Sequence, residues 1–480
     1  MKHKPSDSLA LRISPVAVVC VLIGGISQFS TGATKTWTSN GTGGADWTLG
    51  DNWNGDTAPV AGDALVFNSP TSGGTRTMNN DFAAGTSFAS MTFNASAFVV
   101  NGNMIALGAS GVSAPFYGAT LNAELSISNS ATQFTIAGTG SNRTTLSSVV
   151  SGTGGFFKTG AGELRIQTNA KTYSGDTTVN AGTLDLNLVN VLPYGAGKGN
   201  LLVNSGAYVW MRYGLNVNGL SDGASGGGTI QSVTSGTKTL TVGNGDAGGS
   251  FSGAIINGTG AVALTKTGTG IQVLSGTSTY TGATLVSGGS LYVNGSLANT
   301  SSLTVSSGAK LGGDGSIANG VSLTGGTVAP GLGGTVDRSL TVGSLAGTSG
   351  TLSFVIDGES AYDSLTSSGS INLANLGLSV TMNDNTWDLL NPGETWGNSS
   401  VYTIISGTTT NMFSGLTTED LSAFSAAGAT ASEYTTELGG QKFWVRQGSV
   451  SLVPLGAIPE PGVSLLGAAG IFALLRRRRG

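Results

Sequence analysis

The chain has 480 residues, 79 of them glycine, and only 10% are charged, against roughly 25% in an average protein. Residues 34–461 hold 14 basic and 24 acidic side chains, a net of −10, which excludes the basic footprint that a nucleic-acid partner needs. With 39% apolar residues and so little charge, disorder is disfavoured, and short apolar stretches punctuated by Gly, Ser, Thr and Asn point to an all-β protein.

Residues 1–33 read as a secretory signal peptide. Lys2, His3, Lys4 and Arg12 form its basic region, Pro15 to Ile26 its apolar region, and the small residues up to Ala33 its cleavage site. The lone cysteine, Cys20, and the lone histidine, His3, both lie in this segment. The exported chain is therefore expected to hold neither thiol nor imidazole. That excludes disulfides, Ser-His-Asp and Cys-His catalysis, and His- or Cys-ligated metals. No cofactor and no metal site is expected.

The segment 34–126 reads as the entry and cap of a solenoid, and a long-period repeat follows it, over 127–230 and 231–327. Lys158-Thr159-Gly160 answers Lys266-Thr267-Gly268, Tyr173-Ser174-Gly175 answers Tyr280-Thr281-Gly282, and Gly182-Thr183-Leu184 answers Gly289-Ser290-Leu291. Lys158 and Lys266 are expected to fill a repeated structural role at a turn, since a catalytic lysine would not be expected twice. Within each unit, runs of three or four residues such as 290–293 (SLYV) and 302–305 (SLTV) alternate apolar and polar and end at Gly, Asn or Ser. Strands this short cannot stand alone, but stacked along one axis they bury their inward Leu, Val and Ile and satisfy each other's backbone groups. That predicts a β-solenoid, most simply a parallel β-helix, over roughly 34–455, with 328–456 as its C-terminal coils. Stacked Thr, Ser and Asn avoid the repulsion that stacked like charges would suffer.

The stretch "LTKTGTG…LSG…STYTG.TLV..GSLYVNGS" resembles the passenger-associated, autotransporter-associated β-strand repeat of bacterial surface proteins. The likeness is clear over 230–325 and weaker over 127–210. The entry segment Thr36 to Phe67, with Trp37, Trp47, Trp53 and a "P..GD..VF" turn, and the exit segments 328–365 and 449–454 are similar to the ends of such proteins. The resemblance implies a right-handed parallel β-helix and no single activity. An autotransporter ends in a membrane barrel of about a dozen strands of ~10 residues. This chain ends otherwise, so self-translocation is not expected.

Residues 457–480 resemble the PEP-CTERM sorting signal: Pro459, Glu460 and Pro461, then an apolar run, then Arg476, Arg477, Arg478 and Arg479. That resemblance implies an exosortase-type sorting enzyme as partner, in Gram-negative bacteria that make extracellular polysaccharide. The apolar run, 462–475, is 14 residues, about 21 Å as a helix against a ~30 Å hydrocarbon core. The expectation is a short transmembrane helix that holds the chain transiently in the inner membrane. The four arginines lie on the cytoplasmic side, and the body is released outward.

Three groups in the body could carry chemistry. Asp357, Glu359 and Asp363 are read as a polar turn, with a carboxylate pair for polysaccharide cleavage as the alternative. The stretches 242–249 and 382–388 offer oxygen ligands but match no calcium-loop pattern. Trp37, Trp47 and Trp53 are read as a cap on the first coil, with sugar stacking as the alternative, and Trp387, Trp396 and Trp444 as the same at the other end. The resulting expectation is an exported, non-enzymatic surface or matrix protein with a structural or adhesive role in a polysaccharide layer. The alternative is a polysaccharide lyase or hydrolase.

Overall fold

The computed structural model describes residues 32–38, 44–68, 76–168, 171–331, 338–356, 362–382, 402–411 and 417–419, and the strands Glu433–Leu438, Gln441–Arg446 and Val450–Pro454. The signal peptide up to Thr31, the sorting tail with Pro459, Glu460, Pro461 and its arginines, and the expected helices at both ends lie outside them. Among the described residues, no helix is long and apolar enough to cross a membrane. The first strand, Thr34–Trp37, begins directly after Ala33.

The described strands between Thr34 and Thr410 form a parallel β-solenoid with three faces. The first face climbs through Ala64–Phe67, Thr132–Ile136, Phe156–Thr159, Thr177–Val179, Leu201–Val203 and Leu220–Asp222. The second climbs through Thr77–Asn80, Ala119–Leu121, Thr144–Leu146, Glu163–Ile166, Thr183–Leu186, Tyr208–Met211 and Thr229–Ser232. The third includes Leu125–Ile127, Leu215–Asn216, Lys238–Val242, Val262–Lys266 and Thr284–Val286.

The core is a set of columns along the axis. On the second face, Val100 pairs with Leu121, which pairs in turn with Leu146, Ile166, Leu186 and Met211. All six are buried. Parallel register makes this automatic, because alternation sends every second side chain inward and pairing sets each inward residue above the last. Polar side chains stack instead at the corners and at outward strand positions. Asn101 accepts from Asn122 at 2.8 Å, Asn68 from Asn94 at 2.9 Å, and Thr135 and Thr159 share a hydrogen bond of 2.8 Å.

The two ends differ. At the entry, Trp37, Trp47 and Trp53 are buried edge-to-face, with Trp53 5.2 Å from Trp37 and 6.1 Å from Trp47. The Trp53 Nε1 donates to the Trp47 carbonyl at 2.8 Å, and Trp47 lies on Phe67. Rings this deep cover the first coil and have no face left for a sugar, as the capping expectation required. In the adjoining turn, Asp63 accepts from the backbone N–H of Ala33 at 2.7 Å and of Val60 at 2.9 Å.

At the exit the parallel stacking stops earlier than expected. Tyr402–Thr410 pairs antiparallel with Val450–Pro454, and Thr417–Glu419, Glu433–Leu438 and Gln441–Arg446 continue the antiparallel ladder. The last part of 328–456 is thus a meander and not further coils. Reversing strand direction occupies the open edge that another parallel strand could extend.

Candidate functional site

The repeat signature is made of interior groups. Lys158 is fully buried, and its Nζ donates to the carbonyls of Thr159 (2.8 Å), Gly160 (2.7 Å) and Ala181 (3.0 Å). Lys266 repeats this on Thr267 (2.6 Å), Gly268 (3.2 Å) and Gly288 (3.2 Å). Each ammonium ties its own corner to the corner of the next coil. Gly160 and Gly268 turn there with φ of 73° and 64°, a region that other residues enter only at a cost. Burial pulls Lys158 down to about 7 and Lys266 to about 8. Tyr173 and Tyr280 lie in the core and bond to Thr177 (2.5 Å) and Thr284 (2.6 Å). Burial raises both phenols. These residues build the solenoid and have no access to a ligand, as the structural expectation for the lysines required.

Equivalent positions of the two repeats also occupy different faces. Phe156–Thr159 pairs along the first face, whereas its counterpart Val262–Lys266 pairs along the third. Glu163–Ile166 belongs to the second face and its counterpart Ile271–Leu274 to the first. The offset between repeats is therefore not a whole number of turns. No continuous face is built from repeated outward residues.

An ionic cluster flanked by two exposed tyrosines lies instead at one place on the second face that the repeat does not specify. Outward alternation puts Arg165, Asp185, Trp210 and Gln231 in one column of paired residues. Asp185 is wholly buried beneath its neighbours. It accepts from Arg165 Nε at 2.7 Å and from Arg212 Nε at 2.7 Å and Nη2 at 3.1 Å, a fork that fixes the second guanidinium. Glu163 accepts from Arg143 at 3.2 Å and lies 3.7 Å from Arg165. Burial, and then its hydrogen bond to Asp185, push the Glu163 carboxyl upward, while Arg143 opposes them. Beside this cluster Tyr208 and Tyr213 stand 42% and 51% exposed.

The arrangement is suited to holding a ligand and unsuited to glycoside hydrolysis. Two catalytic carboxyls must flank a sugar bond, roughly 5–9.5 Å apart. Glu163 and Asp185 are both covered, and their oxygens are taken up by Arg143, Arg165 and Arg212. Sequence reading missed the cluster because its members are spread from 143 to 213 and converge only through coil stacking. The weak signal was the alternation of Tyr208, Trp210 and Arg212.

The other expected candidates fare differently. Asp363 is buried and accepts from Val355 N–H at 3.1 Å, and burial raises its carboxyl to about 6. Its companions Asp357 and Glu359 lie outside the described residues, as do 383–388 with Trp387, and Trp396. The side chain of Trp444 is likewise outside them, although its backbone pairs with Thr435. Asp246 ties its turn to the next coil by accepting from Thr269 N–H at 2.9 Å. Among the described residues, no three His, Cys, Asp or Glu side chains cluster as metal ligands would.

Comparison with known proteins agrees with the architecture. Residues 156–186 and 264–293 match the passenger-associated-transport-repeat family. The chain is similar to the adhesin BmaC autotransporter of Brucella suis biovar 1 (strain 1330), with 31% identity over 163 residues, or 28% of this chain and 5% of that protein. It thus spans only a small fraction of the length of that relative. In this chain the two matched stretches are the two solenoid segments with a buried lysine, a buried tyrosine and glycine corners.

Proposed function

We propose that this protein is an exported, non-enzymatic β-solenoid that serves a structural or adhesive role at the cell surface or in an extracellular polysaccharide matrix. The observation that supports it most directly is the match of both repeat segments to a family of passenger repeats, together with the likeness to an adhesin. The physics is consistent with that role. A long stack of strands presents a wide, sparsely charged surface, and its repeated interior contacts serve rigidity and not chemistry.

In this reading the tail sorts the chain. An exosortase-type enzyme recognises Pro459-Glu460-Pro461, the run 462–475 sits briefly in the inner membrane, and Arg476–Arg479 hold the cytoplasmic side. Deleting 457–480 and fractionating the cells tests it. The truncated protein is expected to leave the surface or matrix fraction, and a truncated protein that still reaches its normal place sinks the sorting claim. Loss of attachment to a surface or matrix in cells lacking the whole protein tests the adhesive role, and unchanged attachment counts against it.

A further inference from the structure

We propose that the second-face cluster of Arg143, Arg165 and Arg212 with Tyr208 and Tyr213 is a binding site for an acidic polysaccharide, one that bears a carboxylate on its sugar rings. The proposal deepens the adhesive reading above and rests on it. Three observations carry it. First, residues 34–461 have a net charge of −10, yet three of the five arginines whose side chains are described converge here against two carboxylates. An anionic ligand would thus meet locally positive charge on an otherwise acidic protein.

Second, the guanidinium groups are held in place before any ligand arrives. Asp185, itself buried, fixes Arg165 and Arg212, and Glu163 orients Arg143. A guanidinium has five N–H donors, and these pairs use only some of them, so donors remain for ligand carboxylates. Third, Tyr208 and Tyr213 are 42% and 51% exposed beside the cluster, although most aromatics among the described residues are buried. Rings of this kind offer an apolar face to sugar C–H groups and a hydroxyl to sugar oxygens. The paired residues run from Arg165 through Asp185 to Trp210 on successive coils. At about 4.8 Å per coil that is a track of roughly 10 Å, suited to an extended polymer more than to a single sugar.

The test uses the full chain and immobilised polygalacturonate, a polymer of carboxylate-bearing sugars, with the same polymer after carboxyl reduction as its neutral counterpart. The variants are Tyr208→Ala, Arg143→Gln and, as a control on the third face, Leu285→Ala, whose side chain is 37% exposed. The expected result is saturable binding that weakens with added salt, falls roughly tenfold or more in Tyr208→Ala and in Arg143→Gln, and is unchanged in Leu285→Ala. Equal binding to the carboxyl-reduced polymer overturns the acidic specificity. Wild-type affinity in either of these variants, once it is shown to be folded, overturns the site. If the wild type ignores polygalacturonate while cells still need the protein for attachment, the ligand assignment fails and the adhesive reading stands. Thermal melting of each variant shows whether its fold is retained, and the two substitutions fail independently, so one folded variant suffices.

Discussion

The two repeats share an interior, apart from Gln272 in place of Leu164, and differ outside. Both have a buried lysine on three carbonyls, a core tyrosine bonded to a threonine four residues on, and a positive-φ glycine at the corner. At the positions of Glu163, Arg165 and Asp185, however, the second repeat has Ile271, Val273 and Tyr292. An ionic cluster is replaced by apolar side chains, with Tyr292 buried against Gly312. A repeat sequence therefore specifies how to build a coil, and its outward positions are free to differ. On the reading proposed above, recognition belongs to a place and not to the repeat.

The largest test of this contrast removes the shared tyrosines. Tyr173→Ala and Tyr280→Ala should each cost about 3–5 kcal/mol in denaturant unfolding, because both empty a fully buried ring volume. A small effect in one and a large effect in the other would break the equivalence. Next comes Asp185→Asn, which strips Arg165 and Arg212 of their carboxylate. Its cost should be about 1–3 kcal/mol, below that of a fully buried pair because the arginines are partly solvated, and salt should reduce it. Tyr292→Phe, at the matching position, should show no such salt dependence.

The buried lysines give a pH signature common to both repeats. Their folded values, about 7 and about 8, lie below the ordinary 10.5, so the unfolded chain binds more protons between these limits. Their contribution to stability is complete above about 10.5 and is lost as pH falls through 8 and 7. Stability should rise with pH across that window, by at most about 1.4 kcal/mol per pH unit for each lysine. Lys158→Met and Lys266→Met should each flatten the slope, and NMR titration midpoints near those of free lysine would refute the shift. The smallest effect expected is that of Tyr173→Phe and Tyr280→Phe, about 0.5–1.5 kcal/mol each for the lost hydroxyl bond.

Much of the fold could be read from the chain before any coordinates. Period-two alternation in 290–293 and 302–305 located strands, the Lys-Thr-Gly and Tyr-x-Gly matches located the repeat, and the entry tryptophans located the cap. The exit was less legible. A meander and a coil both alternate with period two, and strand direction depends on where the chain turns, so the antiparallel pairing of 433–454 left no separate mark. The candidate site left only a weak trace, the alternation of Tyr208, Trp210 and Arg212, since Arg143, Asp185 and Tyr208 are separated by whole coils.

That this is a solenoid of short strands was written into the chain, because alternation, glycine corners and sparse charge are local properties that each residue carries wherever it lies. The tertiary structure decided which residues meet. Coil length varies along the chain, as Leu164 pairs with Leu184 but Leu184 with Val209, so distance along the chain does not convert into position on a face. That variation turned the second repeat onto other faces and brought three arginines, two carboxylates and two exposed tyrosines together on the second.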